Sequence, residues 1–163
     1  MRGEAADRPV AVAGDEIVLA PLRWWHLPEI LVLEQELFAP ECWSEELFWS
    51  ELAQGEHRHY LIATGGDRIV GYAGLASGAG EAFVQTIGVK AECQRRGVGA
   101  RLLGALIDEA RARGAAVVGL EVRADGEVAQ RLYARHGFEA VGRRRGYYQP
   151  SGVDAIVMLL ELP

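Results

Sequence analysis

The residues of this chain best suited to chemistry form one turn, Gln94-Arg95-Arg96-Gly97-Val98-Gly99-Ala100. A short apolar strand, Ile87-Gly88-Val89, runs ahead of it. A helix follows, with Val98, Leu102, Leu106 and Ala110 at the i, i+4 spacing of one buried face. Glycines at such a junction let a ligand approach the backbone where a Cβ would obstruct it. The unpaired N–H groups of the first helical turn and the positive end of the helix dipole attract an anion such as a phosphate. Lys90, Arg95, Arg96 and Arg101 surround the loop with positive charge. The turn therefore predicts binding of a phosphorylated cofactor.

The residues alone leave several readings open. A Walker A loop needs Lys directly after its second glycine, and no Lys follows Gly97 or Gly99. A dinucleotide fingerprint needs a third glycine where this chain has Leu102, although Glu121 lies 22 residues after Gly99, near the spacing of the expected acidic residue. An ordinary strand-to-helix connection built of small residues would also fit.

Periodicity and turn residues give the elements that must position this loop. Ile17 to Leu22 reads as a strand and Trp24 to Phe38 as a helix. Ala39 to Trp43 is a break, and Ser44 caps a helix running to about Ala53. His59 to Thr64 and Ile69 to Ser77 flank Gly65-Gly66-Asp67-Arg68 as a hairpin. Ala82 to Val89 is a strand, Gly97 to Arg113 a helix, and Ala116 to Val122 an apolar strand expected to be buried on both faces. Glu127 to His136 is a helix, followed by strands Phe138 to Gly142 and Ala155 to Leu162. The order is β-αα-βββ-α-β-α-ββ, a mixed α/β sheet. Trp24, Trp25, Trp43 and Trp49 are expected mainly in the core.

At 163 residues, half of them hydrophobic and 25% charged, the composition fits one globular domain. Residues 1–14 read as a flexible tail and 15–163 as the domain. A net charge of −6 argues against direct nucleic-acid binding. No apolar run reaches membrane-spanning length, and no secretory signal is read at the start. Cys42 and Cys93 are expected as free thiols in the cytoplasm. His57 and His59 lack further ligands at metal spacing, so no metal is expected. Leu27 to His57 holds eight glutamates and no Lys or Arg, which suggests an acidic lip opposite the basic loop.

The turn and the segment after it, Arg101-Leu102-Leu103, resemble the acetyl-CoA signature of the GNAT superfamily of N-acetyltransferases. Leu120-Glu121-Val122-Arg123-Ala124, Leu132-Tyr133-Ala134-Arg135-His136-Gly137-Phe138, Arg144-Arg145-Gly146-Tyr147-Tyr148 and Asp154-Ala155 are similar to the RimI branch. The resemblance implies the GNAT fold, with a central sheet splayed to hold coenzyme A. It implies transfer of acetyl from acetyl-CoA to a protein N-terminal α-amine, that of alanine in a small-subunit ribosomal protein. Ile87, Gly88 and Val89 then match the strand that binds the acetyl and pantetheine groups, with the Val89 amide as donor. Arg95, Arg96, Gly97, Val98, Gly99 and Ala100 match the pyrophosphate loop.

Glu121 matches the family's base and Tyr133, twelve residues on, its acid. On position alone, Glu121 is as readily a strand-end carboxylate paired with Arg123 or a neighbouring strand, and Tyr133 a helix tyrosine packed on the sheet. Gly126 stands where RimI-like sequences carry an Asn that contacts the cofactor, which puts that contact in doubt. Trp43, Tyr147 and Tyr148 are candidates for lining an acceptor groove. Two other functions remain open: acetylation of a small amine such as a polyamine, amino sugar or antibiotic, and a non-catalytic acyl-CoA-binding module. The expected state is a monomer or weak dimer.

Overall fold

The computed structural model describes residues 16–163; the tail expected at residues 1–14 lies outside the described residues. Seven strands form one sheet in the order β1-β2-β3-β4-β5-β7-β6. They are β1 (Ile17–Pro21), β2 (Arg58–Gly65), β3 (Arg68–Gly78), β4 (Glu81–Val89), β5 (Val117–Arg123), β6 (Glu139–Arg144) and β7 (Ala155–Glu161). The helices are α1 (Leu27–Phe38), α2 (Glu45–Leu52), α3 (Val98–Ala112) and α4 (Glu127–Arg135). The order of elements is the expected one.

The sheet carries two apolar cores, one on each face. Alternation along β2 divides them: Leu61 and Ala63 join the core under α3, while Tyr60 and Ile62 join the core under α1 and α2. α3 forms because Val98, Leu102, Leu103, Leu106, Ile107 and Ala110 fall on one buried stripe. α2 begins at Ser44, whose hydroxyl accepts from Leu47 N at 3.1 Å.

The first helix differs from expectation. Trp24–His26 is a separate 3₁₀ turn, with Pro28 in the opening turn of α1, where its missing N–H costs nothing. The turn lies off the buried Leu27, Ile30 and Leu33 stripe, so Trp24 and Trp25 are 61% and 58% exposed and meet each other edge to face. Trp49 is also exposed, on the outer side of α2. β5 is apolar on one face only. Val118, Leu120 and Val122 pack under α3, which leaves Glu121 and Arg123 on the α1–α2 face.

Two buried tyrosines on that second face lie across strand glycines. Tyr60 is in register with Gly74, and Tyr72 with Gly88. A buried glutamate accepts each phenol: Glu51 from Tyr60 at 2.8 Å and Glu34 from Tyr72 at 2.7 Å. A hydrogen bond to a charged group contributes about 1.5–3 kcal/mol, which offsets part of the cost of burying each carboxylate.

Candidate active site

β4 and β5 are the only parallel neighbours among the described residues, and they pair briefly. Their contacts stop at Glu81↔Val117, Ala82↔Val118 and Phe83↔Gly119. Beyond Phe83 the strands separate, so among the described residues no strand pairs with Val84 to Val89 on the β5 side. Lys90 N donates to Val70 O at 2.8 Å. The alternation of an antiparallel ladder then turns the backbone groups of Ile87 and Val89 toward the opening, while Gly88 faces β3. An extended amide-bearing ligand can add to such an edge as a strand does.

The loop after β4 closes one end of this opening. Gln94 Nε2 donates to Val89 O at 3.0 Å. Arg95 and Gly97 adopt left-handed backbone, with φ of 62° and 82°. No side chain caps α3 at Gly97, and the first helical bond runs from Arg101 N to Gly97 O. The N–H groups of Val98, Gly99 and Ala100 are therefore presented to a ligand. Gly99 has a second constraint, since a Cβ there would lie 3.3 Å from Leu132 Cδ2 on α4. Basic residues around the loop are engaged within the protein, among them Lys90 with Glu92 at 3.2 Å and Arg101 with the carbonyl of Ile17. This donor set fits the pyrophosphate and extended arm of a coenzyme A thioester.

Glu121 lies on β5 beside the same opening. Its carboxylate meets Arg144 Nε of β6 at 2.8 Å. The Tyr147 phenol donates to it as well, which pushes that phenol's pKa up. The Arg144 guanidinium lies over the Tyr147 ring. The alternative pairing of Glu121 with Arg123 does not occur. Arg123 reaches Glu41 and Asp125 instead, and lies over the Tyr148 ring.

Tyr133 comes from the other face of the sheet. Its ring is buried in the α3-side core against Phe138. Its hydroxyl has no hydrogen-bond partner among the described residues, and no fully buried side-chain polar atom among them lacks one. The hydroxyl therefore retains accessible surface. Burial of the ring pushes its pKa up to about 12, so the phenol keeps its proton at neutral pH. Burial above all, with Tyr147 and Glu121 adding to it, pushes the pKa of the Tyr148 phenol up to about 12.

The arm carrying Tyr147 and Tyr148 is locked by Asp154. One carboxylate oxygen accepts from Gly146 N at 2.8 Å and the other from Arg143 Nε at 2.7 Å. Those contacts hold the Asp154 carboxyl below its usual pKa. A cavity of about 190 Å³ opens between this arm and the α1–α2 break, lined by Phe38, Pro40, Glu41, Arg123, Tyr148 and Ser151 among others. Glu41 braces it, accepting from Ser151 N at 3.1 Å and from Arg123. Trp43 is not part of this lining: its ring packs on Phe48 at 5.2 Å, and its backbone N–H donates to Glu34 at 3.0 Å. Gly126 is the N-cap of α4 and supplies no side-chain contact.

The splayed β4–β5 pair and the uncapped start of α3 after it are the arrangement that the sequence resemblance implied. The family model for the acetyltransferase (GNAT) family matches residues 24–138. The chain belongs to the GNAT family. It is 46% identical over 131 residues to the N-alpha-acetyltransferase RimI of Mycobacterium tuberculosis, covering 77% of this chain and 80% of that one. The crystal structure of the ribosomal-protein-S18-alanine N-acetyltransferase from Escherichia coli superposes with a TM-score of 0.81 at 36% identity, over 89% of this chain and 93% of that one. Arabidopsis thaliana NAA60 in complex with acetyl-CoA shares the fold, with a TM-score of 0.80 at 19% identity over 90% and 98% of the two chains. The chain is thus a RimI-like, acetyl-CoA-dependent N-acetyltransferase.

Sequence reasoning did not foresee the partners of four residues of this region. Arg144 was visible only as part of a motif. Glu41, Arg123 and Glu34 meet their partners across long sequence separations, as with Glu41 and Ser151, and no local pattern announces such contacts.

Proposed function

We propose that this chain acetylates the α-amine of a protein N-terminus, an alanine, and that its acceptor is a small-subunit ribosomal protein. The observation that carries this reading is the position of Glu121 on the α1–α2 face beside the splayed β4–β5 opening, held there by Arg144 and Tyr147. The likeness to RimI and to the S18-alanine enzyme supports the choice of acceptor.

When bound, acetyl-CoA supplies a thioester whose carbonyl the amine attacks. The Val89 N–H and the N–H groups at the start of α3 hold the two ends of that ligand. Gly97 lets the loop coil to present them, and Arg95 and Arg96 add charge for the pyrophosphate. Glu121 accepts the proton that the attacking amine must lose. An α-amine titrates near pH 7.7–8.0, so a carboxylate is a sufficient base. Tyr133 keeps its proton until the leaving sulfur needs it. Arg144 and Tyr147 hold the carboxylate at the groove mouth, and Tyr148 lines the path of the acceptor chain.

The test is incubation of unacetylated small-subunit ribosomal proteins with the chain and acetyl-CoA, read by intact mass. A single acetyl group on one protein that begins with alanine is the expected result. Transfer to none of them, with efficient transfer to spermidine or an amino sugar, would overturn the proposal.

A further inference from the structure

We propose that Glu34 is a positioning residue that ties the acceptor side of the site to the acetyl-binding strand. The proposal rests on the site reading above and deepens it. Glu34 is 2% exposed, on the inner side of α1. Its two carboxylate oxygens serve two different walls. One accepts from Tyr72 OH at 2.7 Å. The other accepts from the backbone N–H of Trp43, in the break between α1 and α2, at 3.0 Å.

Tyr72 carries the link onward. It is fully buried and stands in register with Gly88. A Cβ at Gly88 would lie 2.8 Å from Tyr72 Cζ, so the ring lies directly over that glycine. Gly88 sits between Ile87 and Val89, whose backbone groups face the opening. Trp43 follows Cys42 and Glu41, and Glu41 lines the acceptor cavity. Phe48 adds a parallel aromatic path, with its ring 6.2 Å from Tyr72 and 5.2 Å from Trp43. A single carboxylate thus fixes the distance between the acceptor wall and the strand beneath the acetyl group. A reaction between two held substrates is sensitive to that distance.

The fold contains its own control. Glu51 is 7% exposed and accepts from Tyr60, whose ring covers Gly74 as Tyr72 covers Gly88. The second partner of Glu51 is Arg58, not the acceptor wall. The two glutamates share burial and bonding, and differ in what they connect.

The experiment compares Glu34→Gln with Glu51→Gln. Both should lower the melting temperature. Glu34→Gln should also raise KM for an alanine-first peptide about tenfold, the scale of one lost hydrogen bond to a charged group, with KM for acetyl-CoA within about twofold. Glu51→Gln should leave both KM values within about twofold, because its loss is confined to stability. A second readout needs no acceptor: hydrogen exchange of the Trp43 backbone amide by NMR. Exchange should quicken in Glu34→Gln, and acetyl-CoA should slow it in wild type but not in Tyr72→Phe. Unchanged peptide KM and Trp43 exchange in Glu34→Gln would overturn the link. So would an equal KM rise in Glu51→Gln, which would mark a general loss of folding. If the wild type ignores the peptide, the acceptor assignment fails, and the exchange measurement still decides the link.

Discussion

Glu121 and Tyr133 lie on opposite faces of the sheet, and the roles proposed for them make opposite demands on their surroundings. The carboxylate is held by two donors, Arg144 and Tyr147, while burial of the Tyr133 ring keeps the phenol protonated. Glu121→Gln should lower kcat/KM about 10²- to 10⁴-fold, the usual contribution of a general base. Because the amine loses its proton unaided at high pH, that deficit should shrink when rates are compared at pH 7 and pH 9. Tyr133→Phe should lower kcat with little change in acetyl-CoA affinity by calorimetry. A Tyr133 pKa of about 12 predicts that the wild-type kcat profile shows no fall from its titration between about pH 7 and pH 10. Both residues were legible in the sequence, because each sits in a local run of residues. Arg144 as the partner of Glu121 was not, since that contact depends on how β6 and β7 fold back on β5.

At the scale of elements, the strand, loop and helix from Ile87 to Ala112 were legible because glycine spacing and helical period are local signals. Their physical reasons prove to be unequal. Gly97 needs its left-handed backbone, and a Cβ there would meet open space. Gly99 is confined by Leu132 and Val89. Gly97→Val should therefore weaken acetyl-CoA binding through backbone strain, and Gly99→Val by pushing α3 from α4. Calorimetry showing wild-type affinity in both variants would remove the loop assignment. The β6–β7 arm offers a test by pH. The folded pKa of Asp154 is depressed, so its stabilising effect is complete above its unfolded value of about 3.9 and is lost as pH falls through the folded value. The melting temperature of wild type should exceed that of Asp154→Asn at pH 6, and the gap should close on acidification below about pH 4. The one-sided burial of β5 was not legible, because its apolar run cannot reveal that Gly119 opposes the Phe83 ring.

At the scale of the whole molecule, the acidic segment from Leu27 to His57 divides into two uses. Glu34 and Glu51 hold buried tyrosines, and Glu41 braces the cavity beside the β6–β7 arm. Glu36, Glu45, Glu46 and Glu56 remain exposed. Composition showed the segment but could not separate these roles, since the partners lie on distant strands. The exposed charges should still favour a basic acceptor, and added salt should narrow the lead of a basic peptide over an acidic one. No helix among the described residues is long and apolar enough to cross a membrane. The central claim is that the chain acts on a protein's α-amine. The direct measurement offers acetyl-CoA and one peptide holding an N-terminal alanine, an arginine behind it and an internal lysine, with spermidine in competition. Fragmentation of the product locates the acetyl group. Acetyl on the alanine nitrogen, with kcat/KM above that of spermidine, is the predicted result. Acetyl on the lysine side chain, or preferential consumption of spermidine, would contradict it.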